Sequence, residues 1–138
     1  MTIKRISHIA IATKSIAVTA EFYKTLGLEL DSMETIRDDK VKVAIMNVGD
    51  SALELVEPTQ PGSSISGFLE RRNEGLHHLS FEVDNIDECL KLLKERNIRL
   101  IDEKPRLGAE GRLIAFIHPE STGGVLVELS QPAAGGAK

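Results

Sequence analysis

The alternation of hydrophobic and polar positions predicts a strand followed by an amphipathic helix near the start of the chain. Residues 6–12 mix β-branched and small side chains at a period of two, which is typical of a half-buried strand. Ser15 then stands where an N-cap residue belongs, and Gly27 can adopt the left-handed conformation that ends a helix. The apolar positions between them have helical spacing and would form one stripe: Ile16, Ala20, Tyr23 and Leu26.

The same pattern returns 70 positions later, where residues 76–100 align with residues 6–30 without a gap. In this second copy Asn85 is the predicted N-cap, with Glu88 three residues on as in a capping box. Asn97 replaces the glycine, and asparagine is the residue after glycine that best tolerates a left-handed backbone. Both copies obey the same backbone rules, so the chain is predicted to be a tandem repeat.

Short strands are predicted after each helix, which makes each copy a βαβββ module and the fold class α+β. The predicted strands cover residues 29–36, 41–48 and 52–56 in the first copy and residues 99–103, 113–118 and 125–130 in the second. Module one spans about residues 3–57 and module two about residues 76–131 of a single domain. Residues 58–75 are the predicted linker, with a short helix over 65–73, and the Pro/Ala/Gly tail 132–138 is expected to be disordered.

Composition and charge exclude several classes of function. The 138 residues are 41% hydrophobic and 28% charged with a net charge of −4, and this acidic balance argues against nucleic acid as a partner. No apolar run approaches the roughly 20 residues that span a bilayer, and no secretory signal is expected after Met1. Cys89 is the only cysteine, which leaves no internal disulfide and fits a reducing cytoplasm; we interpret it as a small apolar filler.

Each module carries one histidine near its first strand and one glutamate near its last. His8 aligns with His78, and the match between LELVEP and VELSQP places Glu54 on Glu128. A lone buried histidine is usually structural, but a carboxylate in an apolar strand is unfavourable to bury without a partner. Two such sets at equivalent positions favour one shared divalent metal ion, because imidazole and carboxylate suit first-row metals.

The remaining histidines and cationic segments are weaker candidates. His77 must point to the opposite face of its strand from the candidate ligand beside it, and His118 has no histidine at its repeat-related position. The loop 104–112 contains three cations. Two interpretations are equally favoured: a solvated surface loop, or a flap beside the site whose cations bind an anionic substrate. Arg71 and Arg72 in the linker helix are interpreted as solvated charges.

Three segments resemble the vicinal oxygen chelate superfamily and, among its members, the methylmalonyl-CoA epimerases. They are GLHHLSFEVDNID (75–87), EKPRLGAEG (103–111) and HPESTGGVLVELSQ (118–131), and the resemblance covers residues 3–131. In that superfamily two βαβββ modules form a curved, cup-shaped mixed sheet around a divalent metal. The resemblance implies Co²⁺ or Zn²⁺ first, with Mn²⁺ or Ni²⁺ as alternatives, and four metal ligands: His8, Glu54, His78 and Glu128.

The resemblance implies an isomerase that interconverts the (2R) and (2S) forms of methylmalonyl-CoA through a metal-stabilised enolate, as a homodimer. Inversion at C2 needs an acid/base group on each face, and Glu128 and Glu54 are the expected pair. Some epimerases carry glutamine at the position of Glu54. Some also have a catalytic glutamate in the strand over residues 41–48, where the aligned residue here is Ala44.

Other functions within the superfamily stay open. A glyoxalase I-type lactoylglutathione lyase would use the same four ligands and would match Glu54, although such enzymes usually read closer to DPDG where this chain has HPESTGG. A metal-free small-molecule-binding protein would have no need for four repeat-related ligands. A ring-cleaving dioxygenase is disfavoured, because such chains usually carry more modules than 138 residues can hold.

Overall fold

A computed structural model of the chain describes residues 1–134, which fall into two compact units. The first unit is His8–His77, and the second combines Met1–Ser7 with the residues from His78 onward. The described residues form eight strands: β1 Ile3–Ala12, β2 Ser32–Ile36, β3 Val41–Val48, β4 Ser51–Pro58, β5 Gly75–Val83, β6 Arg106–Leu107, β7 Leu113–Ile117 and β8 Val127–Gln131. They also form three α-helices, α1 Ile16–Thr25, α2 Ser66–Arg72 and α3 Ile86–Glu95, and two short 3-10 turns, Ala109–Gly111 and Pro119–Ser121. The predicted α+β class is confirmed.

In the first unit the strands hydrogen-bond in the order β2-β3-β4-β1. β1 runs parallel to β4, whereas β2, β3 and β4 are antiparallel neighbours. The register places Ala10 beside Glu54 and Glu54 beside Ile45, so these three side chains share one face of the sheet. The opposite face packs against α1 and forms the core of the unit: Ile16, Ala20, Ala44, Met46 and Leu55.

In the second unit the order is β5-β8-β7-β6, again with one parallel pair, β5 and β8, and antiparallel neighbours elsewhere. Helix α3 packs on one face and completes a second core: Val83, Ile86, Cys89, Leu90, Ala115, Ile117 and Leu129. Cys89 is fully buried, and burial raises the pKa of its thiol. A buried thiol of raised pKa is a poor nucleophile, which agrees with its interpretation as a filler.

The helix ends follow the predicted chemistry in both units. Ser15 Oγ accepts a hydrogen bond from the amide three residues on at 3.2 Å, and Asn85 Oδ1 does the same at 3.1 Å. Gly27 and Asn97, just beyond α1 and α3, have positive φ angles of 100° and 62°. The two copies therefore begin and end their first helix by the same means.

The predicted strand over residues 99–103 is wrong. Leu100 makes only an isolated bridge, and the second strand of this module is the two-residue β6 farther along the chain. The Asp102 carboxylate accepts the Phe116 amide at 2.9 Å. In a regular β-ladder this amide would donate to a backbone carbonyl. Because it donates to the Asp102 side chain instead, the ladder does not continue along residues 99–103.

The other predicted elements are present with shifted ends. β2 begins at Ser32, three residues later than predicted, and α2 accounts for the predicted linker helix. Residues 132–134 follow β8 without strand or helix, while the rest of the predicted tail, residues 135–138, lies outside the described residues. None of the described helices has the length and hydrophobicity needed to cross a membrane.

Candidate active site

The first unit holds His8 and Glu54 in direct contact on one face of its sheet. β1 carries the histidine and β4 the glutamate, and the register partner of His8 is Ala52, two residues before Glu54. His8 Nδ1 lies 3.2 Å from Glu54 Oε2, and the two side chains are only 6% and 11% exposed. An imidazole next to a buried carboxylate can orient it and stabilise its charge.

The second unit holds the repeat-related pair. His78 Nε2 lies 3.8 Å from Glu128 Oε2, with the side chains 8% and 5% exposed. The Phe116 ring stands edge-on to the His78 imidazole at 5.0 Å between centroids, and Phe116 is the register partner of Glu128. The repeat does not predict Phe116, because no charged or polar residue marks its position in β7.

The donor atoms of these pairs suit a metal ion. Each unit buries a carboxylate beside an imidazole, and a divalent cation would offset the negative charge that burial disfavours. Within the second unit, His78 and Glu128 offer one nitrogen and one oxygen donor that could hold such an ion. Nitrogen and oxygen donors of this kind bind zinc, cobalt and related first-row ions.

Ala44 lies on the wrong face of β3 for any role beside Glu54. Its register partner is Leu55, and it is fully buried in the core under α1. The residues that share the face of Glu54 are Val43 and Ile45, which are both apolar. The conclusion that β3 offers no acid therefore stands, but the position that decides it is not Ala44.

The positions beside the two pairs differ in polarity. In the first unit Ala10 and Val56 are 0% and 5% exposed on the face of Glu54. In the second unit the repeat-related positions hold Ser80 and Ser130, which are both 0% exposed. Neither serine hydroxyl has a hydrogen-bond partner within residues 1–134. The same fold position is thus apolar in one unit and polar in the other.

Glu82, on the same face as His78, is shared by two arginines. Its Oε1 lies 3.0 Å from Arg5 Nη2 and 3.3 Å from Arg112 Nη2. Arg106 pairs with Asp102 at 3.1 Å. Two of the three cations in loop 104–112, Arg106 and Arg112, therefore form ion pairs with acidic side chains of their own unit, which favours a structural role for them.

The other two histidines have structural contacts. The His77 ring packs edge-on against Phe68 of α2 at 5.0 Å between centroids. His118 Nδ1 accepts the Glu120 amide at 3.0 Å and so caps the short turn that follows β7. The Arg99 guanidinium beside Glu120 and its hydrogen bond hold the pKa of that carboxyl below its usual value.

Comparison with known proteins adds a family to this geometry. A family model described as Glyoxalase/Bleomycin resistance protein/Dioxygenase superfamily matches residues 7–116. Protein YqjC of Bacillus subtilis (strain 168), described as uncharacterised, is 44% identical over 93% of this chain and 92% of its own length. The mitochondrial methylmalonyl-CoA epimerase of Homo sapiens is 39% identical over 92% of this chain and 73% of its own length.

A solved structure shares the whole fold. It is a methylmalonyl-CoA epimerase in complex with methylmalonyl-CoA and NH4⁺, 33% identical to this chain, with a TM-score of 0.91. The match covers 99% of this chain and 100% of the solved chain. These similarities confirm the predicted fold and the resemblance found in the sequence.

Proposed function

Because the chain belongs to the Glyoxalase/Bleomycin resistance protein/Dioxygenase superfamily, also called the vicinal oxygen chelate superfamily, we propose that it is a methylmalonyl-CoA epimerase. Relatives that bear this name, and a fold shared with an epimerase solved with methylmalonyl-CoA, support the proposal. The observation that carries it lies in the chain itself. Two buried His–Glu pairs occupy repeat-related positions, one in each unit.

The four paired residues, His8, Glu54, His78 and Glu128, are the proposed ligands of one divalent cation. Their donor set fits the ion, since each buried carboxylate stands beside an imidazole nitrogen and needs a compensating positive charge. Co²⁺ or Zn²⁺ is the proposed occupant, with Mn²⁺ or Ni²⁺ as alternatives. When bound, the cation supplies Lewis-acid stabilisation for negative charge that develops on the substrate oxygens.

The proposed proton transfers belong to two carboxylates. C2 of the substrate lies between a thioester carbonyl and a carboxylate, so its proton is acidic and its loss leaves a planar centre. Glu128 removes or returns a proton on one face of that centre, and Glu54 does so on the other, which inverts C2. His8 and His78 orient the carboxylates through the contacts at 3.2 Å and 3.8 Å.

A glyoxalase I-type lyase is the second candidate, because one residue favours it. Glu54 is a carboxylate at a position where some epimerases carry glutamine. A lyase of this kind would isomerise the hemithioacetal of glutathione and would leave methylmalonyl-CoA unchanged. The two functions are therefore separated by substrate alone, with the same protein and the same metal.

We also propose a homodimer in a reducing cytoplasm. Val18, Phe22 and Leu26 recur every four residues along α1 and its C-cap and are 74%, 60% and 64% exposed. An apolar stripe of this kind supports a covered surface in the assembled protein. Light scattering should give twice the mass of the chain, and a single-chain mass that does not change with concentration would contradict the dimer.

The test of the function is epimerisation in deuterated water. Incubation of the metal-loaded protein with the (2R) form of methylmalonyl-CoA should yield both epimers, each with deuterium at C2, as followed by NMR. The glutathione hemithioacetal serves as the comparison substrate. Turnover of the hemithioacetal without any change in methylmalonyl-CoA would assign the lyase function and overturn the epimerase proposal.

A further inference from the structure

A groove of about 660 Å³ opens in the first unit beside α2 and the segment that follows β1. Lys14 lines it from the end of β1, and Leu69, Glu70, Arg71 and Arg72 line it from the helix. His8 and Glu54 belong to the same unit but do not line this groove. The groove is therefore a separate feature from the candidate active site.

The side chains around the groove carry a positive charge. Three cations, Lys14, Arg71 and Arg72, stand against one acid, Glu70, in a chain whose net charge is −4. Lys14 also acts electrostatically on Glu74 nearby, which reduces the excess but does not remove it. No ion pair to Arg71 or Arg72 is made within residues 1–134. A basic groove with unpaired guanidinium groups suits an anionic ligand.

The two arginines are held along the helix rather than extended into water. The Arg72 guanidinium lies over the Phe68 ring at 6.0 Å from its centroid. The Arg71 guanidinium folds back onto Gly67, where an added Cβ would lie only 2.9 Å from Arg71 Nη1. Glycine weakens a helix, so its presence at the second position of α2 needs a local reason. The space for the Arg71 guanidinium is such a reason.

We propose that this groove binds a phosphate group of the acyl-CoA substrate. The inference rests on the proposed epimerase function and adds the site that recognises the nucleotide end of the substrate. Guanidinium groups bind phosphate through paired, charge-assisted hydrogen bonds, and Lys14 adds a point charge. Arg71 and Arg72 would thus be binding residues, in contrast to their interpretation from the sequence as solvated charges.

The distances within the first unit are compatible with this role. Lys14 is six residues from His8 along β1 and its extension, which corresponds to about 20 Å at 3.3 Å per residue. An extended pantetheine arm, with the bond geometry of about five residues, spans roughly 15–17 Å. The flexible Lys14 side chain covers the remainder. A substrate whose thioester lies beside His8 is therefore long enough to reach Lys14 at the edge of the groove.

The direct test is the double variant Arg71→Gln/Arg72→Gln, assayed with two substrates. For methylmalonyl-CoA we expect KM to rise at least tenfold while kcat stays within twofold of the wild type. Methylmalonyl-pantetheine lacks the phosphates, so its KM should be the same for the variant and the wild type. The matched control, Lys91→Gln/Arg96→Gln, removes two exposed cations from around α3 and should leave both KM values unchanged. An unchanged KM for methylmalonyl-CoA in the groove variant would overturn the proposal.

A second variant keeps the charge and moves one guanidinium. Gly67→Ala should favour the helix while displacing Arg71, so we expect a folded protein with a severalfold higher KM for methylmalonyl-CoA. Circular dichroism checks the fold. A folded Gly67→Ala variant with wild-type KM would show that the position of Arg71 does not matter and would count against the groove.

Binding of coenzyme A itself separates this inference from the proposed function. Calorimetric titration of the wild type with coenzyme A should show binding that weakens as salt is raised, and the double variant should bind at least tenfold more weakly. Dephospho-coenzyme A lacks the 3′-phosphate but keeps the diphosphate, so its affinity shows which of the two groups the groove binds. If the wild type epimerises nothing but shows this difference in coenzyme A binding, the function fails and the groove stands. Equal binding by the wild type and the double variant would refute the groove whatever the activity.

Discussion

The two units carry the same His–Glu pair, but the residues around the pairs have diverged. His8 and Glu54 are flanked on their face by Ala10 and Val56, whereas the second unit has serine at both repeat-related positions. The pair distances also differ, 3.2 Å in the first unit and 3.8 Å in the second. The comparison indicates that the repeat maintains the His–Glu pair and varies the polarity of the residues beside it.

The largest effect is expected from removing the carboxylate of the second pair. Glu128→Ala takes away a proposed ligand and a proposed base and leaves His78 without its carboxylate. We expect kcat to fall by about a thousandfold, within the range for loss of a general base, together with loss of bound metal. The measurements are epimerisation by NMR and metal content by mass spectrometry. Wild-type turnover would remove Glu128 from the mechanism.

Glu54→Gln tests whether the first pair supplies the second base. The amide oxygen can still bind a metal, so metal content should be close to that of the wild type. Epimerisation should fall by about a hundredfold, because glutamine cannot carry a proton between the faces of C2. Exchange of the C2 proton for deuterium from one epimer should continue through Glu128. If both epimers interconvert at the wild-type rate, Glu54 is a ligand and not a base.

The serine and alanine positions can be exchanged between the units. Ser80 buries a hydroxyl without a partner within residues 1–134, so Ser80→Ala should raise the free energy of unfolding by about 1 kcal/mol. The matched change Ala10→Ser puts a hydroxyl among the apolar side chains beside Glu54 in the first unit. It should lower the free energy of unfolding by a similar amount. Urea denaturation measures both. A loss of stability in Ser80→Ala would show that this hydroxyl makes a stabilising bond.

A smaller, pH-dependent effect is expected at Glu74 in the first unit. The Lys14 amide donates to its carboxylate at 2.8 Å and the Thr13 hydroxyl at 3.0 Å, and these bonds hold its pKa below the usual value of 4.5. A lowered pKa stabilises the folded state above the unfolded value, and this contribution is lost as pH falls through the folded pKa. Glu74→Gln should therefore be less stable than the wild type at pH 7, and the difference should shrink below about pH 4.5. A difference that is constant across this range would contradict the account.

Much of the fold could be predicted because local rules repeat in the sequence. Ser15 and Asn85 act as caps, and Gly27 and Asn97 have the positive φ that their types allow. The absence of a strand over residues 99–103 could not be predicted. It depends on the Asp102 side chain, which accepts a hydrogen bond from a backbone amide of β7. Such a contact leaves no periodic signal.

The candidate site could be predicted to the level of its pairs. Self-alignment finds His8 with Glu54 and His78 with Glu128, and each pair is in contact in its own unit. The register error at Ala44 arises because adjacent strand residues face opposite sides, so a shift of one position moves a residue from the site into the core. Phe116 is an ordinary apolar strand residue in the sequence, so nothing there indicates a role in the site. It is identified only by its contact with His78.

Metal stoichiometry tests most directly the claim that the two repeat-related pairs serve one cation. The purified protein should be stripped of metal and titrated with Co²⁺ by calorimetry, alongside His8→Ala and His78→Ala. We predict one equivalent of Co²⁺ per chain for the wild type, and tight binding lost from either variant alone. Two equivalents in the wild type, with one lost in each variant, would show that each pair binds its own ion and would contradict the account.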